Sequence, residues 1–192
     1  MDLNGIPGWF PQENADQLER LIAEYQVKSV IEIGSFLGLS AVWFAHRVDQ
    51  VFCIDRWYEE QDWESENNLV ATLRRWELPR DIFPLFRENV MRSGVWHKIC
   101  PERGHSRYVA GRVPSVDLVY IDGDHTREGA QSDIEIYQEK ARRVICGDDY
   151  QRHPEFGVIE AVDKLMPGRQ VSGRFWWATR GADGGWPAGG GR

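Results

Sequence analysis

The chain has 192 residues and a formal net charge of −7, enough length for one domain that buries a real core without disulfide or metal staples. The acidic balance argues against nucleic acid as a main partner, because phosphate binding relies on clustered Lys and Arg. No apolar run approaches the roughly 20 residues of a membrane span, and the N-terminus MDLNGIPGWF lacks the basic start and apolar core of a secretion signal, so a cytoplasmic protein without a membrane partner is expected.

Residues 1–14 hold Gly5, Pro7, Gly8 and Pro11 around Trp9 and Phe10 and read as an irregular arm. Leu18, Leu21, Ile22 and Tyr25 recur at helical spacing and predict a helix from Ala15 to Tyr25. The β-branched run Val30, Ile31, Ile33 reads as a buried parallel strand, and Leu39, Ala41, Val42, Trp43, Phe44 and Ala45 as the packed helix after it. Val51 to Ile54 is a second strand that ends at Asp55. The segment from Arg56 to Pro79 is longer than an ordinary strand-to-helix connection. Its stripe Leu69, Val70, Leu73, Trp76 follows the acidic stretch Glu59 to Glu66, and it reads either as a lid or as a helix that extends the core. A helix over 81–93 is expected to start after Pro84 and stop at Gly94.

The second half continues the alternation. A strand over Lys98 to Glu102 leads to Gly104, His105 and Ser106, and the strand Val116 to Ile121 ends in Asp122, Gly123, Asp124, His125. A helix from Thr126 to Lys140 presents Ala130, Ile134 and Tyr137 on one face; a short strand Val144 to Cys146 then ends in Gly147, Asp148, Asp149. Val158, Ile159, Val162 and Leu165 give a further helix, and Gln170 to Thr179 two short strands or a hairpin. The fold expected is α/β: a single-domain, doubly wound, Rossmann-like, mostly parallel sheet of about seven strands with helices on both faces. The domain spans residues 1–179 with a lid-like insertion at 56–79, and a Gly-rich disordered tail occupies 180–192. Cys53, Cys100 and Cys146 lack metal-like spacing and read as core thiols. Of nine tryptophans, Trp9, Trp57 and Trp63 fall in predicted loops, which suggests aromatic surface around a pocket or interface.

In a doubly wound sheet the ligand lies beyond the carboxyl ends of the strands, so Glu32, Gly34, Ser35 and Gly38 face the crevice. A dinucleotide needs G-x-G-x-x-G for close approach of its pyrophosphate. Here Ser35, Phe36 and Leu37 stand between the two glycines and obstruct it. The alternative to a ligand turn is a glycine bend that merely lets strand and helix pack. Asp55, twenty-one residues after Gly34, stands where an acid at the end of the second strand accepts hydrogen bonds from ribose hydroxyls.

The runs DGDH and GDDY end adjacent predicted strands and converge on the same rim. Carboxylates gathered there repel one another unless something positive neutralises them, which a hard divalent cation does well. Asp122, Asp148 and Asp149 are the candidate ligands for Mg²⁺ or a similar ion, against a plainer reading as helix caps and loop residues. His125 is the candidate general base, an imidazole that takes a proton near neutral pH. His153 is a second candidate for that role.

In order along the chain, EIGSFLGLSA, CIDRW, ENVMRSGVWHKI, DLVYIDGDHTREGAQSDIEIY, CGDDY and FGVIEAVDKL resemble the small class I S-adenosylmethionine (SAM) methyltransferases. They look most like the group that includes metal-dependent sugar O-methyltransferases of macrolide biosynthesis. The resemblance implies that Gly34 and Asp55 bind SAM together with Glu32, Ser35, Gly38, Arg56, Trp57 and Asp122. It further implies that Asp122, Asp148 and Asp149 hold the metal and that His125 is the base. His105 and Ser106, also expected to bind SAM, stand where many methyltransferases place an acid near the adenine, and Ala141, Arg142 and Arg143 where the family has a glycine pair. The implied activity is O-methylation of a small hydroxylated molecule, a sugar or natural product. A homo-oligomer is left open, since the pocket otherwise rests on 56–79. The rival readings are a non-catalytic subunit that binds SAM or metal, and an NAD(P)-dependent oxidoreductase on the same architecture.

Overall fold

The apolar runs line up as one seven-stranded sheet in a computed structural model that describes residues 5–57 and 68–188. Strands β1 (Ser29–Ile33), β2 (Gln50–Asp55), β3 (Ile99–Arg103), β4 (Val116–Ile121) and β5 (Ala141–Gly147) are parallel. Strands β6 (Gln170–Ser172) and β7 (Phe175–Thr179) form a hairpin, and β7 runs antiparallel to β5. The spatial order is β3-β2-β1-β4-β5-β7-β6. It reverses direction between β1 and β4, where the carboxyl ends of the strands open a crevice.

Alternation along each strand decides which layer a residue enters. Val30, Leu118 and Tyr120 pack with α1 (Gln12–Tyr25), α2 (Leu39–Ala45), α3 (Asn68–Arg75) and α4 (Phe83–Arg92) through Leu18, Leu21, Trp43, Leu73 and Phe86. Ile31, Ile33, Val119 and Ile121 pack on the other side with α5 (Ser106–Val109), α6 (Arg127–Tyr137) and α7 (Val158–Leu165). Helix α2 is buried from Ser40 to Ala45 and has no wet face along that run, which is why it reads as continuously apolar. Cys53 and Cys146 are buried and Cys100 half-buried, all as free thiols. No helix among the described residues is long and apolar enough to cross a membrane.

Several boundaries differ from the expected ones for identifiable reasons. Helix α1 starts at Gln12 rather than Ala15, because the Pro11 carbonyl accepts the N–H groups of Asn14 and Ala15 (both 3.1 Å). Helix α6 begins after Thr126, whose hydroxyl accepts the Gly129 N–H (3.1 Å), and ends at Tyr137 rather than Lys140. There Lys140 donates its Nζ to the Val113 carbonyl (2.8 Å), and β5 begins at Ala141, opposite Val116. Strand β5 is therefore seven residues long rather than three. Within the compositional tail, Arg180 lies over Trp186 (4.5 Å) and donates to the carbonyls of Ala141 (2.7 Å) and Gln138 (2.8 Å), which holds the chain against the start of β5.

Trp57 corrects the reading of the loop tryptophans. It is 1% exposed, with its ring against Phe83 and Phe86 and its indole N–H donated to the Phe36 carbonyl (2.8 Å). A left-handed backbone (φ +55°) turns the side chain inward, so it belongs to the core rather than to a pocket surface. Trp9 is 58% exposed and stacks on Trp76 (5.0 Å). Trp63 and the acidic stretch Glu59 to Glu66 lie outside the described residues. Of the 56–79 insertion, α3 contributes Leu73 to the core, while Trp76 packs beside Phe36 and Trp9 above the glycine turn.

Candidate active site

The ends of the parallel strands are knitted together one residue beyond the ladder. The Gly34 N–H donates to the Ile54 carbonyl (2.9 Å), Asp122 N–H to Ile33 (2.9 Å), Asp148 N–H to Ile121 (3.3 Å) and Gly104 N–H to Asp55 (2.9 Å). This brings Gly34, Asp55, Gly104, Asp122 and Asp148 onto one rim. A Cβ on Gly34 would stand 2.0 Å from the Asp122 carbonyl oxygen, and its φ is +92°, so only glycine allows β1 and β4 to close up here. Gly38 has the same φ, and its α-carbon faces Phe86 and Val90.

Glu32 points from β1 into the α2–α4 layer and is wholly buried. Its Oε2 accepts the Ser35 hydroxyl (2.5 Å), and Ser40 lies beside the carboxyl. Burial pushes the Glu32 carboxyl up to about 7. Asp55 accepts the Phe36 N–H at Oδ2 and the Trp57 N–H at Oδ1 (both 2.8 Å). Burial raises its pKa against those two bonds, and the carboxylate fixes the glycine turn while keeping acceptor capacity for a further donor. Arg56 follows, exposed. His105 caps α5, and the Ser106 hydroxyl is committed to Asp133 on α6 (2.5 Å), which settles its orientation.

The second acid group forms around His125. Its Nε2 lies 3.1 Å from Asp149 Oδ2 and 3.5 Å from Asp122 Oδ1, and these three side chains offer ligand atoms within 4.8 Å of one another. Burial pushes Asp122 up to about 6. For His125, burial lowers the pKa, but Asp122, Asp149 and Asp148 together raise it. The imidazole is supported on its other side by Phe156 (4.8 Å between ring centroids), and the His125 carbonyl accepts the Gly157 N–H (2.9 Å). His153 lies tilted against Phe156 (4.3 Å between ring centroids), and its Nδ1 accepts the Glu155 N–H (3.3 Å).

Asp148 is placed differently from the sequence expectation. Its Oδ1 accepts Arg174 Nε (2.7 Å) and the Asp149 N–H (2.7 Å), and Asp148 is not part of the converging group of Asp122, His125 and Asp149. Arg174 also bonds Asp149 through Nη2. Sequence reasoning missed Arg174, and it missed Tyr120, whose hydroxyl donates to Asp122 Oδ2 (3.3 Å). The available signal was topological: a last strand antiparallel to β5 must begin beside the end of β5.

A family model described as a methyltransferase domain matches residues 31–150, the span that holds the glycine turn and both acid clusters. No curated protein sequence matches the chain. Among solved structures, cofactor-bound Rv0187 from MTB is similar at 20% identity and TM-score 0.64, over 93% of this chain and 84% of that one. An O-methyltransferase from Bacillus cereus in complex with SAH is similar at 16% identity and TM-score 0.63, over 92% and 84%. The O-methyltransferase TomG from Streptomyces achromogenes, involved in tomaymycin synthesis and solved with SAM, is similar at 15% identity and TM-score 0.61, over 88% and 79%.

Proposed function

Because the chain belongs to this methyltransferase-domain family, we propose that it uses SAM to methylate a hydroxyl of a small molecule, a sugar or natural product, with His125 as the base. The observation that carries the reading is that one rim bears both the glycine turn, closed against the Asp122 backbone, and an imidazole set between two carboxylates. The solved O-methyltransferases of like fold that hold SAM or SAH support the choice of cofactor. The family sets aside the oxidoreductase reading, in keeping with a turn whose Phe36 and Leu37 stand where a pyrophosphate needs bare backbone.

The transfer forms a carbon–oxygen bond as the methyl–sulfur bond breaks; SAH departs and the hydroxyl proton goes to the protein. His125 Nε2 faces Asp149 Oδ2 at 3.1 Å and Asp122 Oδ1 at 3.5 Å, so a proton carried on Nε2 leaves the ring's lone pair on Nδ1 to receive the one from the acceptor. The imidazolium so formed is stabilised by the carboxylates at 3.1 and 3.5 Å. Asp55 and Gly34 hold the turn rigid beneath the cofactor, and positioning of the methyl in line with the oxygen supplies much of the rate.

Two carboxylates and an imidazole converging within 4.8 Å are a donor set that suits a divalent ion, with Asp122 and Asp149 the residues that would hold it. Such an ion, when bound, supplies Lewis-acid stabilisation of negative charge on the acceptor oxygen.

The test is methyl transfer from labelled SAM to a panel of hydroxylated acceptors, with and without chelator, alongside calorimetric titration with SAH and NAD. Wild type should transfer to at least one acceptor and bind SAH but not NAD. His125→Gln should lose roughly 10²–10⁴ in turnover with SAH affinity unchanged. Full turnover in that variant removes the base assignment; SAH binding with no transfer to any acceptor favours a non-catalytic subunit.

A further inference from the structure

The topology delivers a cation to a place where the local sequence offers only acids. We propose that Arg174 is the resident counter-ion of the Asp148–Asp149 pair, and that its guanidinium competes with any divalent ion drawn to this rim. This rests on the reading that such an ion is held at Asp122 and Asp149.

Strand β7 opposes β5 with Trp176 across from Gly147, so the two-residue turn Gly173–Arg174 stands beside the acids that follow β5. Gly173 takes φ +59°, and the Arg174 carbonyl accepts the Tyr150 N–H (2.9 Å), which pins the turn to the loop after those acids. From there Nε donates to Asp148 Oδ1 (2.7 Å) and Nη2 to Asp149 Oδ1. The two carboxyl side chains are only 2% and 4% exposed, so the guanidinium supplies compensation that water cannot. A planar fork spanning two acceptors is pre-organised for this, which a lysine ammonium is not.

The fork also engages the carboxylate that an incoming ion would share, while Asp149 Oδ2 faces His125. Asp148 Oδ1 is taken by Arg174 and the Asp149 N–H, and Asp149 Oδ1 by Arg174 and the Gln151 amide (2.9 Å). A dication held by Asp149 therefore meets a like charge already hydrogen-bonded to the same carboxylate. Two of the three acids that in sequence call for an external cation, Asp148 and Asp149, have a protein-borne one.

The test measures Mn²⁺ binding by electron paramagnetic resonance, with SAH present, for the full chain and for Arg174→Lys and Arg174→Met. Arg174→Met should bind Mn²⁺ at least tenfold more tightly than wild type, with Arg174→Lys in between and SAH affinity within twofold throughout. In wild type the Arg174 Nε–H resonance, assigned by its loss in Arg174→Lys, should be sharp without ions and should shift or broaden on addition of Mg²⁺. Equal or weaker Mn²⁺ binding by Arg174→Met, with SAH affinity kept, overturns the proposal and leaves the ion reading standing. Absence of Mn²⁺ binding to every chain overturns both. Should Arg174→Met fail to fold, the wild-type resonance decides: a signal unmoved at saturating Mg²⁺ overturns the competition.

Discussion

Replacement of Glu32 by Gln tests the electrostatics of the glycine-turn strand directly. The carboxyl is wholly buried beside the Ser35 and Ser40 hydroxyls, whose pull on its titration burial outweighs. Burial, the main cause, lifts its pKa from 4.5 to about 7. Between those values the folded chain binds a proton that the unfolded chain has lost, so unfolding free energy falls as pH rises through this window. The penalty is complete above pH 7. At 1.36 kcal/mol per unit, the cost of keeping Glu32 folded grows by about 2.5 kcal/mol between pH 5 and pH 8. Gln keeps the shape and removes the titration. Urea unfolding of both chains at pH 5, 6, 7 and 8, without SAM or divalent ions, should show the variant gaining about 2.5 kcal/mol on wild type across the range. A stability difference that stays flat with pH would mean that the carboxyl is hydrated or paired, and the reasoning fails.

Two further changes probe the rim. Gly34→Ala places a methyl 2.0 Å from the Asp122 carbonyl at φ +92°; it should cost at least about 2 kcal/mol in thermal or urea unfolding and weaken SAH binding more than tenfold by calorimetry. Asp55→Ala leaves the Phe36 and Trp57 N–H groups without their acceptor. It should therefore destabilise the protein by about 2 kcal/mol even without ligand, whereas a residue that served only to hold ribose would change SAH affinity and leave unfolding untouched.

The helical and strand periods of the sequence carried most of the architecture, because the core is built from runs that are apolar for a structural reason. Val30 to Ile33 and Val116 to Ile121 are central parallel strands buried on both faces, and the five parallel strands end in the residues that form the rim. The convergence of Gly34, Asp55, Asp122 and Asp148 was legible for that reason. The element ends were less so: Ala141 to Arg143 extends β5 because it pairs with β4 and receives Arg180, which no local signal announces. Trp57 was misplaced because a tryptophan after a strand looks like a loop residue until the Phe36 carbonyl is found to accept its indole N–H. Arg174 lies 25 residues from Asp149 in sequence, and only an antiparallel neighbour of β5 closes that distance.

The position of β7 has a consequence for biosynthesis. It follows every other strand in chain order, yet in space it is an interior strand, wedged between β5 and β6. Chain order places the carboxylates that follow β4 and β5 before the guanidinium that compensates them. During synthesis the acids beyond β5 therefore meet that counter-charge only once the β6–β7 hairpin has paired with β5.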